Sequence, residues 1–223
     1  EKIEKFNIAW LALTYNCNNR CIWCYSKSNF YELMKDKIFE SSKESEVVNL
    51  IKNLGIERAI LIGGEPTLYP HLSNLINKLS RNNIKSSLVT NGRRLKNINY
   101  IKELRDNGLK AISFSVQGSS EEIHDEITQA KGSFNELVSG LENAISLNIP
   151  VSTNTVIATK NINDLENIVD RFKEYKLGLN GFNICGPCID QENNNKYLVE
   201  LKEAIAAFER VYSYAKKLEV TTK

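Results

Sequence analysis

The chain has 223 residues, of which 42% are hydrophobic and 25% are charged, and these values are ordinary for a globular protein. Its 29 basic and 27 acidic residues leave a net charge of only +2, which excludes a strong overall attraction to nucleic acid or other polyanions. The sequence contains no apolar run of about 18 residues, and its start, EKIEKFNIAW, lacks the apolar core of a signal peptide. We therefore expect a soluble, cytoplasmic protein with no membrane partner.

The domain organisation is predicted to be simple. No internal repeat, low-complexity tract or Pro/Gly linker divides the sequence, so residues 1–223 are expected to form a single core domain. The first residue is Glu rather than Met, and we expect the chain to be a piece of a longer protein with a C-terminal extension.

A short run rich in β-branched and apolar residues occurs six times, and each run is predicted to be a buried strand. The runs are 7–14, 57–63, 84–90, 109–116, 151–157 and 179–185. Amphipathic stretches alternate with them and are predicted to be helices. These stretches are 45–55, 71–82, 98–108, 134–148, 163–178 and 196–219. Three of them close at Gly55, Gly108 or Gly178, where a helix is expected to end.

Six βα units in strict alternation predict an α/β fold with a parallel sheet and right-handed crossovers. Because a closed barrel needs eight such units, the predicted architecture is an open partial (β/α)6 TIM-like barrel. A doubly wound flat sheet is the alternative.

The unusual residues of the sequence follow the predicted strands, where parallel α/β folds carry their reactive groups. They are the cysteine loop 17–24, the GGEPT stretch 63–67, the TNG stretch 90–92, Ser115, Gln117, Gly118, Asn154, Asn183, Cys185 and Cys188. Because the carboxyl ends of parallel strands share one edge of a sheet, we expect these residues to converge on one rim.

Three cysteines, Cys17, Cys21 and Cys24, fall within eight positions. The chain has five cysteines in all, and an odd number in a reducing compartment argues against a disulfide framework. A structural zinc site normally has four ligands, whereas this loop offers three thiolates and no nearby histidine. Three thiolates on a four-iron cluster would leave one iron open for chemistry.

The motif Cys17-x-x-x-Cys21-x-Trp23-Cys24, followed one predicted strand later by Gly63-Gly64-Glu65-Pro66, resembles the radical S-adenosylmethionine (SAM) superfamily. The resemblance implies that the three cysteines hold a [4Fe–4S] cluster whose fourth iron binds SAM. It also implies that an external electron donor of the flavodoxin or ferredoxin type reduces the cluster. Reductive cleavage of SAM then yields a 5′-deoxyadenosyl radical that abstracts a hydrogen atom from a substrate.

The resemblance also implies a set of SAM contacts. They are Trp23 near the adenine, Gly63, Gly64, Glu65 at the ammonium group, Thr90, Asn91, Ser115, Gln117 and Asn154. Each has a plainer interpretation: Trp23 as a core aromatic, the glycines as an ordinary βα turn, and Asn154 as a locally hydrogen-bonded strand residue.

Cys185-Gly-Pro-Cys188 leaves several interpretations open. The pair is predicted to act at the site, either as ligands of an auxiliary iron–sulfur cluster or as a thiol that returns a hydrogen atom to a substrate radical. A redox CxxC motif and a pair of buried, unreactive cysteines are the alternatives.

The segment 119–134 resembles one that peptide-modifying maturases and sulfatase-maturing members of the superfamily share, with His124, Asp125, Gly132 and Phe134 in place. This similarity implies a peptide or protein substrate; a small-molecule or nucleic-acid substrate is the alternative, although nothing in the sequence favours RNA. A non-catalytic iron–sulfur or zinc module is the competing class. We assign His124 no catalytic role, because a lone histidine is more often at the surface or in a helix cap.

Overall fold

The structure is a computed structural model that describes residues 6–24, 38–175, 177, 179–184 and 196–222. Its centre is one sheet of six strands in the order β1-β2-β3-β4-β5-β6, and every neighbouring pair is parallel. The strands are β1 (Ile8–Ala12), β2 (Arg58–Ile62), β3 (Lys85–Thr90), β4 (Leu109–Ser115), β5 (Val151–Ile157) and β6 (Leu179–Ile184).

Helices connect the strands in sequence. They are α1 (Glu44–Asn53), α2 (Leu72–Arg81), α3 (Ile98–Asp106), α4 (Glu121–Thr128), α5 (Ser133–Ser146), α6 (Leu165–Phe172) and α7 (Leu201–Lys217). A doubly wound sheet requires a point at which the strand order reverses, and the described strands run from first to last without one. The predicted open (β/α)6 partial barrel is confirmed, and the flat-sheet alternative is wrong.

The two faces of the sheet have different surroundings, because successive side chains of a strand point to opposite faces. Leu61, Leu88 and Phe114 face the helices and are fully buried in the main hydrophobic core. Their neighbours one position on, such as Ile62 and Val89, face the hollow interior of the partial barrel, which we call the lumen. The sheet therefore presents one face for packing and one face for a ligand.

Helix α4 was not among the predicted helices, although it lies in the segment compared with the maturases. Its start has ordinary helix signals, since the Ser120 side chain accepts a hydrogen bond from the backbone of Ile123 at 3.4 Å and two glutamates occupy the first turn. Only eight residues long, it shows too short a periodic pattern to be recognised without its tertiary contacts.

Most predicted boundaries agree within a few residues. Gly55 and Gly108 end helices α1 and α3 with positive φ angles of 69° and 110°, as predicted, whereas Gly178 lies outside the described residues. The last helix begins at Leu201, five residues later than predicted. No helix in the described part of the chain is long and apolar enough to cross a membrane.

Candidate active site

A cavity of about 530 Å³ opens at the carboxyl ends of the strands. All twelve described residues that were predicted to bind the cluster or SAM line it, whereas Gly92, Gly118 and Asn183 do not; the twelve are Cys17, Cys21, Trp23, Cys24, Gly63, Gly64, Glu65, Thr90, Asn91, Ser115, Gln117 and Asn154. Cys185 and Cys188 lie outside the described residues. The structure brings the motifs of five strands to one rim, while the role of each residue stays a prediction.

The cysteine loop is held on both sides by backbone hydrogen bonds. On one side, the N–H groups of Gly64 and Glu65 donate to the carbonyls of Thr14 and Asn16 at 2.7 and 2.8 Å. On the other side, the N–H groups of residues 20 and 22 donate to the carbonyls of residues 128 and 127 at the end of α4, at 2.8 and 2.9 Å. The loop is therefore fixed against β2 and α4 without help from a ligand.

The two glycines of the GGEP stretch are needed for this contact. A Cβ atom at Gly63 would lie 2.3 Å from the carbonyl oxygen of Thr14, and one at Gly64 would lie 2.4 Å from that of Tyr15. Gly63 also has a φ of 149°, which side chains with a Cβ rarely adopt. Both glycines line the cavity, but their packing against the cysteine loop is already enough to require them.

The Cys17 thiol is held by two hydrogen bonds. Its Sγ accepts hydrogen bonds from the Asn19 N–H at 3.4 Å and from Asn91 Nδ2 at 3.8 Å. Burial raises the pKa of the Cys17 thiol to about 11, so in the metal-free chain it keeps its proton at neutral pH. Binding of a metal would displace that proton.

The donor set of the loop suits a cluster better than a single ion. Within the residues that the structure describes, no group of three or more His, Cys, Asp or Glu side chains is arranged to bind one metal ion. Thiolates of a four-iron cluster each bind a different iron, so they need to surround a larger space than the ligands of one zinc ion. Three thiols around an open cavity meet that requirement, whereas a closed zinc knuckle needs a fourth ligand.

Glu65 lies at the base of the cavity with only 1% of its surface exposed. Its Oε1 accepts hydrogen bonds from the backbone and hydroxyl of Thr67 at 3.1 and 2.6 Å and from the Thr90 hydroxyl at 2.7 Å. Its Oε2 accepts one, from the Asn91 N–H at 2.8 Å. Burial raises the pKa of the Glu65 carboxyl, and the four donated hydrogen bonds oppose that shift. A carboxylate has about four lone-pair sites, two on each oxygen, so Oε2, which accepts one hydrogen bond, has room for another donor.

The opposite wall of the cavity comes from β4 and β5. Ser115 and Asn154 are direct neighbours on the two strands, and the Asn154 Oδ1 accepts a hydrogen bond from Asn183 Nδ2. Asn154 thus has the local partner that the plainer interpretation requires, and it still lines the cavity. The Gln117 Oε1 accepts a hydrogen bond from the Val156 N–H at 3.3 Å, which joins the ends of the two strands.

Trp23 is 9% exposed and packs on Ile127 and Ala158, with its ring edge-on to Tyr197 at 6.3 Å between centroids. It therefore has the packing of a core aromatic. One part of the side chain also reaches the cavity wall, so both interpretations of Trp23 agree with its position.

Seven further lining residues were missed by the sequence reasoning. They are Trp10, Asn19, Ile62, Val89, Thr128, Val156 and Ile184. Four of these, Trp10, Ile62, Val89 and Val156, lie on β1, β2, β3 and β5. Each is an even number of positions from a predicted site residue or from the end of its strand, so the alternation of side chains along a strand could have predicted them. For Asn19 and Thr128 the sequence carries no such signal.

His124 is fully buried, so the expectation of a surface or capping histidine is wrong. Its Nδ1 accepts a hydrogen bond from the Gln117 N–H at 3.1 Å, whereas Nε2 has no partner among the described residues. Burial lowers the pKa of His124 to about 4. The neighbouring Asp125 carboxylate accepts hydrogen bonds from Gly132 N, Ser133 Oγ and Phe134 N, which explains why Asp125 and residues 132–134 occur together at this spacing.

We expect His124 to make the stability of the chain depend on pH. A histidine in the unfolded chain protonates near pH 6.5, whereas the buried ring resists protonation down to about pH 4. The neutral His124 ring therefore contributes fully to the free energy of unfolding above about pH 6.5. This contribution, about 3 kcal/mol, is lost as the pH falls towards 4. The His124→Asn variant keeps an acceptor near the Gln117 N–H. In urea unfolding, its free energy of unfolding should fall less between pH 6.5 and 4 than that of the unaltered protein. An unchanged pH slope would contradict the prediction, and His71→Asn at the exposed second histidine is the control.

Comparison with known proteins shows which family the chain resembles. The model of the radical SAM superfamily matches residues 11–172. The chain is 32% identical over 169 residues to the GTP 3′,8-cyclase of Nautilia profundicola, covering 74% of this chain and 52% of the relative. It is 28% identical over 181 residues to that of Clostridium botulinum strain Okra, covering 79% and 56%. The chain thus spans about half the length of the curated relatives it matches.

Two solved structures share the fold. Streptococcus suis SuiB bound to S-adenosylmethionine superposes with a TM-score of 0.82 at 16% identity, covering 98% of this chain and 50% of SuiB. The enzyme anSMEcpe with bound AdoMet and a peptide superposes with a TM-score of 0.80 at 17% identity, covering 96% and 63%. The family match extends over most of the chain and includes both motif loops, so the chain belongs to the radical SAM superfamily, whose members use a [4Fe–4S] cluster and S-adenosylmethionine.

Proposed function

We propose that Cys17, Cys21 and Cys24 hold a [4Fe–4S] cluster and that the cavity beside them binds SAM. The observation that carries this proposal is that the three thiols and Glu65 open on one cavity at the carboxyl ends of the strands. When bound, the cluster and SAM supply reductive cleavage to a 5′-deoxyadenosyl radical, which abstracts a hydrogen atom from a substrate. An external flavodoxin or ferredoxin would deliver the electron.

The residues of the chain bind and orient SAM in this proposal. Glu65 accepts a hydrogen bond from the SAM ammonium group on its Oε2, because its four internal donors leave room there. Thr90 and Asn91 keep that carboxylate in place. Ser115, Gln117 and Asn154 offer hydroxyl and amide groups to the ribose and carboxylate, and Trp23 offers an aromatic surface to the adenine.

We propose that Cys185 and Cys188 act either as ligands of an auxiliary iron–sulfur cluster or as a thiol that returns a hydrogen atom to a substrate radical. They follow β6, whose end residue Ile184 lines the cavity. An auxiliary cluster and a hydrogen-donating thiol would both use cysteines at that end of the sheet.

We propose a peptide or protein as the substrate. The described cavity lining contains no Lys or Arg, and a triphosphate needs such cations or a row of backbone donors. Among the described residues, no strand joins the outer edges of β1 and β6, where only a bridge of Asn180 to Thr222 covers the start of β6, and in this proposal an extended chain enters between the two edges. The fold likeness to SuiB and anSMEcpe, both of which were solved with peptides, supports this choice.

A nucleotide such as GTP is the second candidate. The sequence identity to GTP 3′,8-cyclases is about twice that to the peptide-modifying structures. At the starts of β2 and β3, in the same alternation as Ile62 and Val89, the exposed Arg58 and Lys85 are direct neighbours and have no ion-pair partner among the described residues. This pair could accept phosphate groups that the cavity itself does not hold.

One experiment tests both candidates. The protein is reconstituted anaerobically with iron and sulfide, given dithionite and SAM, and assayed for 5′-deoxyadenosine with GTP, with a pool of random-sequence peptides, or with neither. We expect 5′-deoxyadenosine in all three reactions and faster formation with the peptide pool. Faster formation with GTP, together with loss of GTP, would favour the second candidate. No 5′-deoxyadenosine from protein with four irons per chain would contradict the proposed function.

A further inference from the structure

The side chain of Arg93 crosses from the end of β3 to the cysteine loop. Its Nη1 donates hydrogen bonds to the backbone carbonyl of Asn18 and, at 3.1 Å, to Asn19 Oδ1. Both residues follow Cys17 directly. No motif of the sequence assigns Arg93 a role, and it does not line the cavity.

The main chain around Arg93 holds the same loop. Gly92 turns with a φ of 79°, and the Arg93 N–H donates to Asn91 Oδ1 at 3.1 Å. The Nδ2 of Asn91 in turn donates to Asn18 Oδ1 at 2.7 Å. Asn18 is thus held at its side chain by Asn91 and at its carbonyl by Arg93, so its backbone has little freedom to rotate.

Arg93 is itself anchored by helix α5. Its Nε donates to Glu136 Oε2 at 2.5 Å, and Lys96 pairs with the other oxygen of that carboxylate at 2.6 Å. The side chains of Arg93 and Glu136 are only 19% and 24% exposed, so salt and water screen their charges less than those of a surface pair. The contact fixes the guanidinium plane against the loop.

We propose that Arg93 is a positioning residue for the iron–sulfur cluster, which fixes the cysteine loop for cluster binding and raises the reduction potential of the cluster. The proposal rests on the proposed function, in which Cys17, Cys21 and Cys24 hold the cluster. Groups that orient metal ligands from outside typically change metal affinity about 10- to 100-fold when they are replaced. Reduction adds one negative charge to the cluster, which a nearby cation stabilises and a nearby anion destabilises.

The charges of Arg93 and Glu136 therefore predict shifts of opposite sign. Arg93→Gln removes a cation, so the midpoint potential should become more negative. Glu136→Gln removes an anion and leaves Arg93 bound to Asn18 and Asn19, so the potential should become less negative. If Arg93 and Glu136 only supported the structure of the loop, the two substitutions would not shift the midpoint potential in opposite directions.

Two properties of the reconstituted protein test the proposal: the rate of iron loss to a chelator, and the midpoint potential from a titration followed by electron paramagnetic resonance. Arg93→Gln should lose iron about 10- to 100-fold faster and have a lower potential. Arg93→Lys keeps the charge but cannot make the forked contact, so it should lose iron faster with a potential near that of the unaltered protein. Arg94→Gln removes a charge on the same turn, where Arg94 contacts the Thr67 carbonyl and the Tyr100 ring, and it should change neither property.

The outcomes separate this inference from the proposed function. If the unaltered protein binds no four-iron cluster, the proposed function fails and this inference with it. If it binds the cluster and the Arg93 variants match it in both properties, the inference alone is overturned. Potentials that move in the same direction in Arg93→Gln and Glu136→Gln would also overturn it. Should Arg93→Gln fail to fold, the Arg93→Lys and Glu136→Gln variants still decide the matter.

Discussion

Replacement of Cys17, Cys21 or Cys24 by alanine is expected to abolish both the visible absorption of the cluster and the formation of 5′-deoxyadenosine. Each thiolate would bind a different iron, so the loss of one leaves two irons without a protein ligand and the cluster unable to assemble stably. The fold should survive, because the loop segment is held by backbone hydrogen bonds to residues 64, 65, 127 and 128, none of which needs a thiol. The measurements are iron and sulfide per chain, the absorption spectrum and the thermal unfolding temperature.

The same substitution at Cys185 and Cys188 is the matched control, because these are the other two of the five cysteines. Less iron per chain in those variants would indicate an auxiliary cluster, and full iron with an altered product would indicate hydrogen donation. Full iron with an unchanged product would support unreactive cysteines. SAM cleavage that persists in an alanine variant of the loop cysteines would contradict the assignment of the site.

Replacement of Glu65 by glutamine should weaken SAM binding by about 10- to 100-fold while the cluster still assembles. A hydrogen bond from an ammonium group to a carboxylate is worth about 1.5–3 kcal/mol, and the neutral amide makes a weaker one. The amide also turns an NH₂ group towards donors that the carboxylate now accepts, so we expect a loss of about 1–3 kcal/mol of unfolding free energy. Calorimetry of SAM binding, iron counting and urea unfolding measure the three effects.

Glu44→Gln provides the control for burial. Glu44 is also fully buried, and its carboxylate accepts hydrogen bonds from the Tyr69 hydroxyl at 2.7 Å and from Asn74 Nδ2 at 2.9 Å, away from the cavity. This variant should lose stability and bind SAM normally. Equal SAM affinity in Glu65→Gln and the unaltered protein would refute the ammonium contact, and loss of the cluster in Glu65→Gln would show that Glu65 mainly supports the fold.

Whether a peptide or a nucleotide is the better candidate substrate depends on which part of the sheet the substrate contacts. The described lining beside the cysteines is apolar and amide-rich and carries no cation, which suits a peptide. The Arg58 and Lys85 pair lies at the starts of β2 and β3, four residues from the ends that line the cavity. That separation is about 13 Å along a strand, so one extended nucleotide would have to span it for both regions to contact GTP.

The architecture and the location of the site could be predicted from the amino-acid sequence. Alternation of apolar strands with amphipathic helices predicts parallel βα units, and parallel strands bring all their carboxyl ends to one rim. Because there are six such units and a closed barrel needs eight, the sequence predicts an open barrel. The two motif loops, the residues at the ends of β3 and β4, and Asn154 within β5 could therefore be placed around one cavity, because strand period and chain order are local properties of the sequence.

The contacts by which the residues of the site hold one another could not be predicted from the sequence. The glycines after β2 are required by the backbone of residues 14–16, and Glu65 is held by Thr90 and Asn91, about 25 positions later. The burial of His124 and the contact of Arg93 with the cysteine loop likewise join segments far apart in the chain. Such contacts depend on the curvature of the sheet and on the packing of loops across neighbouring strands, and neither has a periodic signal in the sequence.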